Sequence, residues 1–280
     1  MSKWFNSWTI SLLIAICLYL VLSIFIFDIY KVNGSNMETS LERGKRVLCR
    51  KMSSYHYQQV VLIKFPGREN VQFSRIMALP GDTIWARHSI LYLNSTRITE
   101  QPGVQFEYRL LSGERDRILE IFKENNLIVD TSLVGLSVFQ FKANLSQLKK
   151  LKKHKEFLKM KRITKEFSVS NDSFAFQVPG QYWNNDNFGP VILPGKGKKI
   201  EISGKNFYLY KNIIEAETGT SLKQVDNSFF IQNKPLKEYT IKKNYYFVLN
   251  DNRTDQNDSR LFGWVDNEKI MAGMLFSLPW

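Results

Sequence analysis

From residue 9 to residue 27 the chain reads TISLLIAICLYLVLSIFIF, an apolar run with no charge and no proline. At about 1.5 Å per residue, a helix of that length covers a hydrocarbon core of about 30 Å, which predicts one transmembrane helix. Whatever follows must then fold beside a bilayer, tethered by its N-terminus. Trp4, Phe5 and Trp8 before the run and Tyr30 after it suit the interfacial belts, and Lys3 with the free amino terminus marks the cytoplasmic end. The expected order is a short cytoplasmic tail at 1–8, a signal anchor at 9–27, and the remainder outside. A cleavable signal peptide would have a shorter apolar core, and residues 25–30 offer no small-residue cleavage pattern.

The 280 residues carry a formal net charge of +13. Such a charge suits nucleic acid and the face of an anionic bilayer equally, and the apolar run decides for the bilayer. No stacking platform or recognition helix is visible, so nucleic acid is set aside. Cys17 lies within the apolar run and Cys49 beyond it, so a disulfide would have to cross from lipid to water. His56, His88 and His154 are far apart and have no ligand at metal-binding spacing. Neither metal nor cofactor is implied.

The rest reads as mainly β with an α/β insertion. Residues 45–100 alternate β-rich runs (RVLCRK, QQVVLIKF, TIWAR, ILYLN) with turn signals such as PGR and PGD. Residues 205–280 resume that pattern with NFYLY, SFFIQ, YYFVLN and IMAGMLFSL. Between them, 105–165 has the order β-α-β-β-α-β, which suggests a ferredoxin-like module set between β halves at 30–104 and 166–280. Its second helix, expected at 148–162, is dense in lysine; it could rest on anionic lipid or an acidic partner, a solvated face being the simpler reading.

Three stretches stand apart by residue type and spacing. Residues 32–41 read VNGSNMETSL, residues 74–82 read SRIMALPGD, and residues 250–263 read NDNRTDQNDSRLFG. In that order they resemble the boxes of type I signal peptidases (leader peptidases). The first box of that family has a glycine, a Ser-Met pair, a proline-threonine pair and a leucine. The second runs from a lysine-arginine pair to Leu-Pro-Gly-Asp. The third has Gly-Asp-Asn-Arg, then Asp-Ser-Arg and an aromatic-glycine pair. WNNDNFGPVILPGKG at 183–197 is similar to a stretch of the same family. The resemblance implies a signal-peptidase-like β fold behind one N-terminal anchor, on the outer face of the cytoplasmic membrane of a bacterium.

Members of that family cut signal peptides with a serine nucleophile whose proton is taken by a lysine. Serine is a weak nucleophile without a base in reach, and lysine serves as one only when its site lowers its pKa. Aligned on Met37, the nucleophile position holds Asn36; aligned on Arg75, the base position holds Ser74. An amide is a poor nucleophile, and a hydroxyl cannot hold a proton as an amine does. Gln256 stands where a serine usually orients the lysine, Asn250 replaces the opening glycine, and Thr39 and Ser40 replace the proline-threonine pair. No catalytic pair is intact. Ser35 is the fallback nucleophile, but on an extended strand it points away from its neighbour's face. Lys31, Lys45, Lys51 and Lys64, the lysines nearest the boxes in sequence, all lie outside them.

What the resemblance implies for contacts is a cleft lined by Gly34, Ser35, Asn36, Met37, Phe73, Ser74 and Ile76. The scaffold set is Arg75, Asp251, Arg253, Asp258, Ser259 and Arg260, with Pro80, Gly81 and Asp82 forming a turn. Arg75 with Asp251 and Asp258 with Arg260 are the expected ion pairs. The paired loss of serine and lysine favours a pseudoenzyme that binds secreted precursors or signal peptides uncut. An active peptidase with a rearranged site is the alternative. A third reading is a scaffold for an active signal peptidase or other secretion or surface-assembly machinery, with the lipid bilayer as a further partner.

Overall fold

The computed structural model describes residues 7–127, 129–130, 137–169 and 173–279. Trp4 and Phe5, assigned above to the membrane interface, and Lys3, assigned to the cytoplasmic end, lie outside them. A helix α1 (Ser7–Phe25) leads into strand β1 (Phe27–Lys31), followed by β2 (Arg46–Arg50), β3 (Val60–Ile63) and β4 (Gln72–Ala78). A hairpin ribbon comes next, β5 (Thr83–Arg87), β6 (Ile90–Leu93) and β7 (Thr96–Arg97). The insertion carries β8 (Gln105–Leu111), α2 (Arg115–Glu124), β9 (Val129–Asp130), β10 (Val138–Asn144), α3 (Leu145–Leu151), a 3-10 turn (Lys155–Lys159) and β11 (Lys161–Arg162). Then follow β12 (Phe188–Ile192), β13 (Lys199–Glu201), α4 (Gly204–Thr218), β14 (Leu222–Val225), β15 (Ser228–Ile231), β16 (Lys234–Pro235) and β17 (Glu238–Thr240). The chain closes with β18 (Tyr245–Leu249), α5 (Ser259–Phe262), β19 (Val265–Asp266) and β20 (Ile270–Ser277).

The first segment differs from its sequence reading. The helix ends at Phe25, and Phe27 already pairs with Arg50 as the first residue of β1, because FDIYK alternates and finds a ready edge in RVLCR. Among the described residues no helix is long and apolar enough to cross a membrane. The described side chains of α1, Ser7 to Val21, are all exposed.

The principal sheet is antiparallel, in the order β1-β2-β20-β3-β4-β18-β19. β4 and β18 are buried on both faces, Ile76 and Val248 in one apolar cluster, Met77, Ala78, Phe247 and Leu249 in another. That is why QFSRIMA and YYFVL read as near-continuous apolar runs. It also carries Ser74 into the interior.

The insertion has its own core. Its antiparallel sheet runs β11-β8-β10-β9, and one face packs Phe106, Tyr108, Phe139 and Phe141 against Ile118, Ile121 and Phe122 of α2 and Leu148 and Leu151 of α3. The lysine-rich helix expected at 148–162 stops at Leu151, and Phe157 enters the core from the 3-10 turn. Six residues after Leu151, an uninterrupted helix would turn Phe157 to the opposite side; breaking the helix lets it bury. NFYLY is corrected as well. It lies within α4, where Phe207, Tyr210, Ile213 and Ile214 face inward at helical spacing.

Side chains of the 183–197 segment hold the insertion's exit. Asn184 Nδ2 donates to the carbonyls of Glu166 (2.9 Å) and Val169 (2.7 Å), Asn187 Nδ2 donates to Lys165 O (2.8 Å), and Asp186 Oδ2 accepts from Lys165 N (2.8 Å).

Candidate functional site

The three boxes meet where β4, β18 and the loop after β1 converge. The first box is not a strand. Residues 35–40 form consecutive turns, with Ser40 N and Leu41 N both donating to Met37 O (2.9 and 2.6 Å), so alternation of faces does not govern Ser35. The outcome for Ser35 is nonetheless exposure, while Asn36 is 6% and Met37 0% exposed. A Cβ at Gly34 would lie 2.5 Å from Asn36 Oδ1, so a larger residue there would displace the Asn36 side chain.

Asn36, Ser74 and Asn250 close on one atom. Ser74 Oγ donates to Asn250 Oδ1 at 2.6 Å, and Asn36 Nδ2 reaches the same oxygen at 3.4 Å while also donating to Phe73 O. Gln72 Nε2 adds contacts to Ser74 Oγ (3.3 Å), Asn250 Oδ1 (3.4 Å) and Asn257 O (2.6 Å), and Asn250 Nδ2 donates to Asn257 O (3.1 Å). Ser74 and Asn250 are fully buried. Every member of this cluster is uncharged, and its side-chain amides and hydroxyl are donors and acceptors to one another. Gln256 lies half-buried at the margin, its carbonyl accepting from Asp258 N at 2.8 Å.

A charged frame surrounds the neutral cluster. Arg75 grips Asp251 through Nε–Oδ1 (2.8 Å) and Nη2–Oδ2 (2.5 Å), and Arg260 grips Asp258 through Nε–Oδ1 (2.9 Å) and Nη2–Oδ2 (2.7 Å). These are two-point guanidinium–carboxylate pairs, the strongest geometry available to such groups. Burial pushes the Asp251 carboxyl up, but the hydrogen bonds and charge of Arg75 outweigh it and leave the group below its ordinary range. For Arg260, burial works against the charge, and Asp258 more than offsets it, raising the guanidinium above its usual value. The frame also fixes backbone: Asp258 Oδ2 accepts from Asn250 N (3.1 Å), Ser259 Oγ accepts from Val248 N (2.9 Å), and Arg260 Nη1 donates to Arg253 O (2.9 Å). Arg253 pairs with Glu100 at 2.6 Å and donates to Asn250 O at 2.6 Å. Asp82 caps its own turn, accepting from Leu79 N (2.8 Å), with Gly81 at φ +93°.

Of the cleft residues read from the sequence, Met37, Phe73 and Ile76 are interior packing, and only Gly34 and Ser35 reach the surface. The open space beside the boxes is a groove of about 550 Å³ in which Ser35, Glu38 and Asn252 face Gln105, Gln140 and Gln147 of the insertion. Lys31, Lys45, Lys51 and Lys64 are all exposed. Sequence reading missed Gln72, Asn257 and Glu100. Gln72 lies two residues before Ser74 on β4, the spacing that returns a side chain to the same face. Nothing local marks Glu100 as a partner of Arg253.

The family described as signal peptidase, peptidase S26, matches residues 5–174 and 193–280. Signal peptidase I of Bacillus licheniformis is 31% identical over 97 residues, 33% of this chain and 52% of the relative. Signal peptidase I of Bacillus caldolyticus is 28% identical over 104 residues, 36% of this chain and 57% of the relative. Signal peptidase I S of Bacillus subtilis (strain 168) is 30% identical over 95 residues, 33% of this chain and 52% of the relative. The chain spans about half the length of the curated relatives it matches.

Proposed function

The chain belongs to the signal peptidase family, peptidase S26, and on that footing we propose a membrane-anchored member that binds exported precursors or their signal segments without cutting them. One observation carries this reading: Asn36, Ser74 and Asn250, the residues at the nucleophile, base and opening-glycine positions, are bonded around a single amide oxygen. Acyl transfer needs a nucleophile and a group to take its proton; the one hydroxyl here, Ser74 Oγ, is fully buried and donates to an amide oxygen, which is no base. The Asn250 side chain lies against Ser74, where the family's glycine would place none.

α1 supports the anchor, since a helix apolar on all sides has no use for water. With Lys3 inside, the β body lies on the outer face of a bacterial cytoplasmic membrane. The polar groove beside the boxes is the place for a client segment. Gln105, Gln140, Gln147 and Asn252 offer both donors and acceptors to an extended backbone.

The test is a labelled precursor mixed with the full-length protein in detergent. The precursor stays intact and co-purifies with the unmodified chain, whereas Asn36→Ser with Ser74→Lys and Asn250→Gly confers slow cleavage after a small residue. Cleavage by the unmodified chain, abolished by Ser35→Ala, would overturn the reading in favour of a rearranged peptidase.

A further inference from the structure

The two helical segments of the insertion cover the same face of its sheet, with Phe122 of α2 and Phe157 of the 3-10 turn in contact, ring centroids 5.3 Å apart. Their charges differ. α2 sets Arg115, Arg117 and Lys123 against Asp116, Glu120 and Glu124, and Arg117 pairs with Glu120 at 2.6 Å. The second segment, 149–161, carries Lys149, Lys150, Lys152, Lys153, Lys155, Lys159 and Lys161, with Glu156 its one acid. All seven lysines are exposed, and among the described residues none has a carboxylate within ion-pair distance. Solubility alone would be served by the mixed charges of α2. An uncompensated single-sign face is a field looking for a counter-charge.

The lysines stand on a firm base. Asn144 and Gln147 form a capping box at the start of α3, and Leu148, Leu151 and Phe157 anchor the segment from beneath. Leu158 stands among them, 70% exposed. Cations flanking a protruding leucine match a lipid–water boundary, where ammonium groups meet phosphates and the apolar side chain reaches acyl carbon. A soluble polyanion or an acidic protein surface would satisfy the lysines and leave Leu158 unused.

We infer that the 149–161 face of the insertion docks on the anionic lipid headgroups of the bilayer, with its lysines on the phosphates and Leu158 reaching past them. The inference rests on the reading of α1 as the anchor. Tethering raises the effective concentration of the surface, so weak contacts suffice. Each lysine near an anionic bilayer favours the docked state by about fivefold.

The experiment places full-length protein in nanodiscs of phosphatidylglycerol mixed with phosphatidylcholine, and in nanodiscs of phosphatidylcholine alone, and reads lysine acylation by mass spectrometry. In the anionic discs labelling across 149–161 falls about tenfold while the exposed Lys205 and Lys223 keep their reactivity; salt at about 0.5 M removes the difference. In the same discs a Leu158→Trp variant shows blue-shifted emission only over anionic lipid. Incorporation with equal labelling in both discs overturns the inference and leaves the anchor standing. Protection that depends on added polyphosphate or acidic peptide, and not on lipid, overturns it in favour of those partners. A chain that enters neither disc overturns the anchor reading and this inference with it.

Discussion

Two clusters share the loop that follows β18, and they are built from opposite kinds of group. The cluster of Asn36, Ser74 and Asn250 is neutral throughout, while the frame of Arg75, Asp251, Arg253, Asp258 and Arg260 is charged and paired. The difference separates two kinds of demand. The frame is interior and charged, so removing one partner leaves an uncompensated buried charge, a cost of several kcal/mol. The neutral cluster demands only that its polar atoms be satisfied, and a set of amides and one hydroxyl does so as well as other combinations. The neutral cluster tolerates exchange among polar side chains, whereas the frame loses stability with any one of its charges.

That contrast is broken most directly at Asp258. Asp258→Ala strands Arg260 and frees the amide of Asn250 at once, and about 3–5 kcal/mol of folding stability is expected to disappear in urea unfolding. If the loss is no greater than that of Ser74→Ala, the distinction between the clusters fails.

Acid sharpens it next. Asp251 has a folded-state pKa below its ordinary value, so its share of stability is complete above about pH 4 and drains away as the pH falls through the folded value. Unfolding measured from pH 6 to pH 2 therefore shows a decline that Asp251→Asn flattens. A variant as acid-sensitive as the parent would place the titrating group elsewhere.

The smallest effect belongs to Ser74→Ala, which removes one donor to Asn250 Oδ1 and leaves that oxygen to Asn36 and Gln72. About 1 kcal/mol is expected in the same unfolding measurement. A cost approaching that at Asp258 would show that the neutral cluster is as demanding as the frame.

Much of this arrangement was legible because the boxes carry it in residue type: Arg75, Asp251, Asp258 and Arg260 announce ion pairs. Asn36 and Ser74 could be read as losses, but not as partners. Their meeting at Asn250 joins positions 214 and 176 residues apart in sequence, and no periodicity reports contacts across such separations. Periodicity also failed locally for physical reasons. NFYLY has the β-prone aromatics of a strand, yet it lies in a helix because its apolar positions continue at helical spacing through Ile213 and Ile214. The run at 148–162 is helix-prone throughout and stops because burying Phe157 outweighs propagating one more turn. That Met37, Phe73 and Ile76 are buried was not legible either, because it depends on β4 being covered on both faces.

Gln105 has a mechanical consequence. Its amide donates to Asp251 O at 2.8 Å, and its carbonyl accepts from Arg253 N at 2.9 Å, so the first residue of the insertion's sheet is stitched into the third box on either side of Asn252. A load applied to the insertion therefore has a short, hydrogen-bonded path to the loop that holds Asn250, and a displacement of either end is felt at the other.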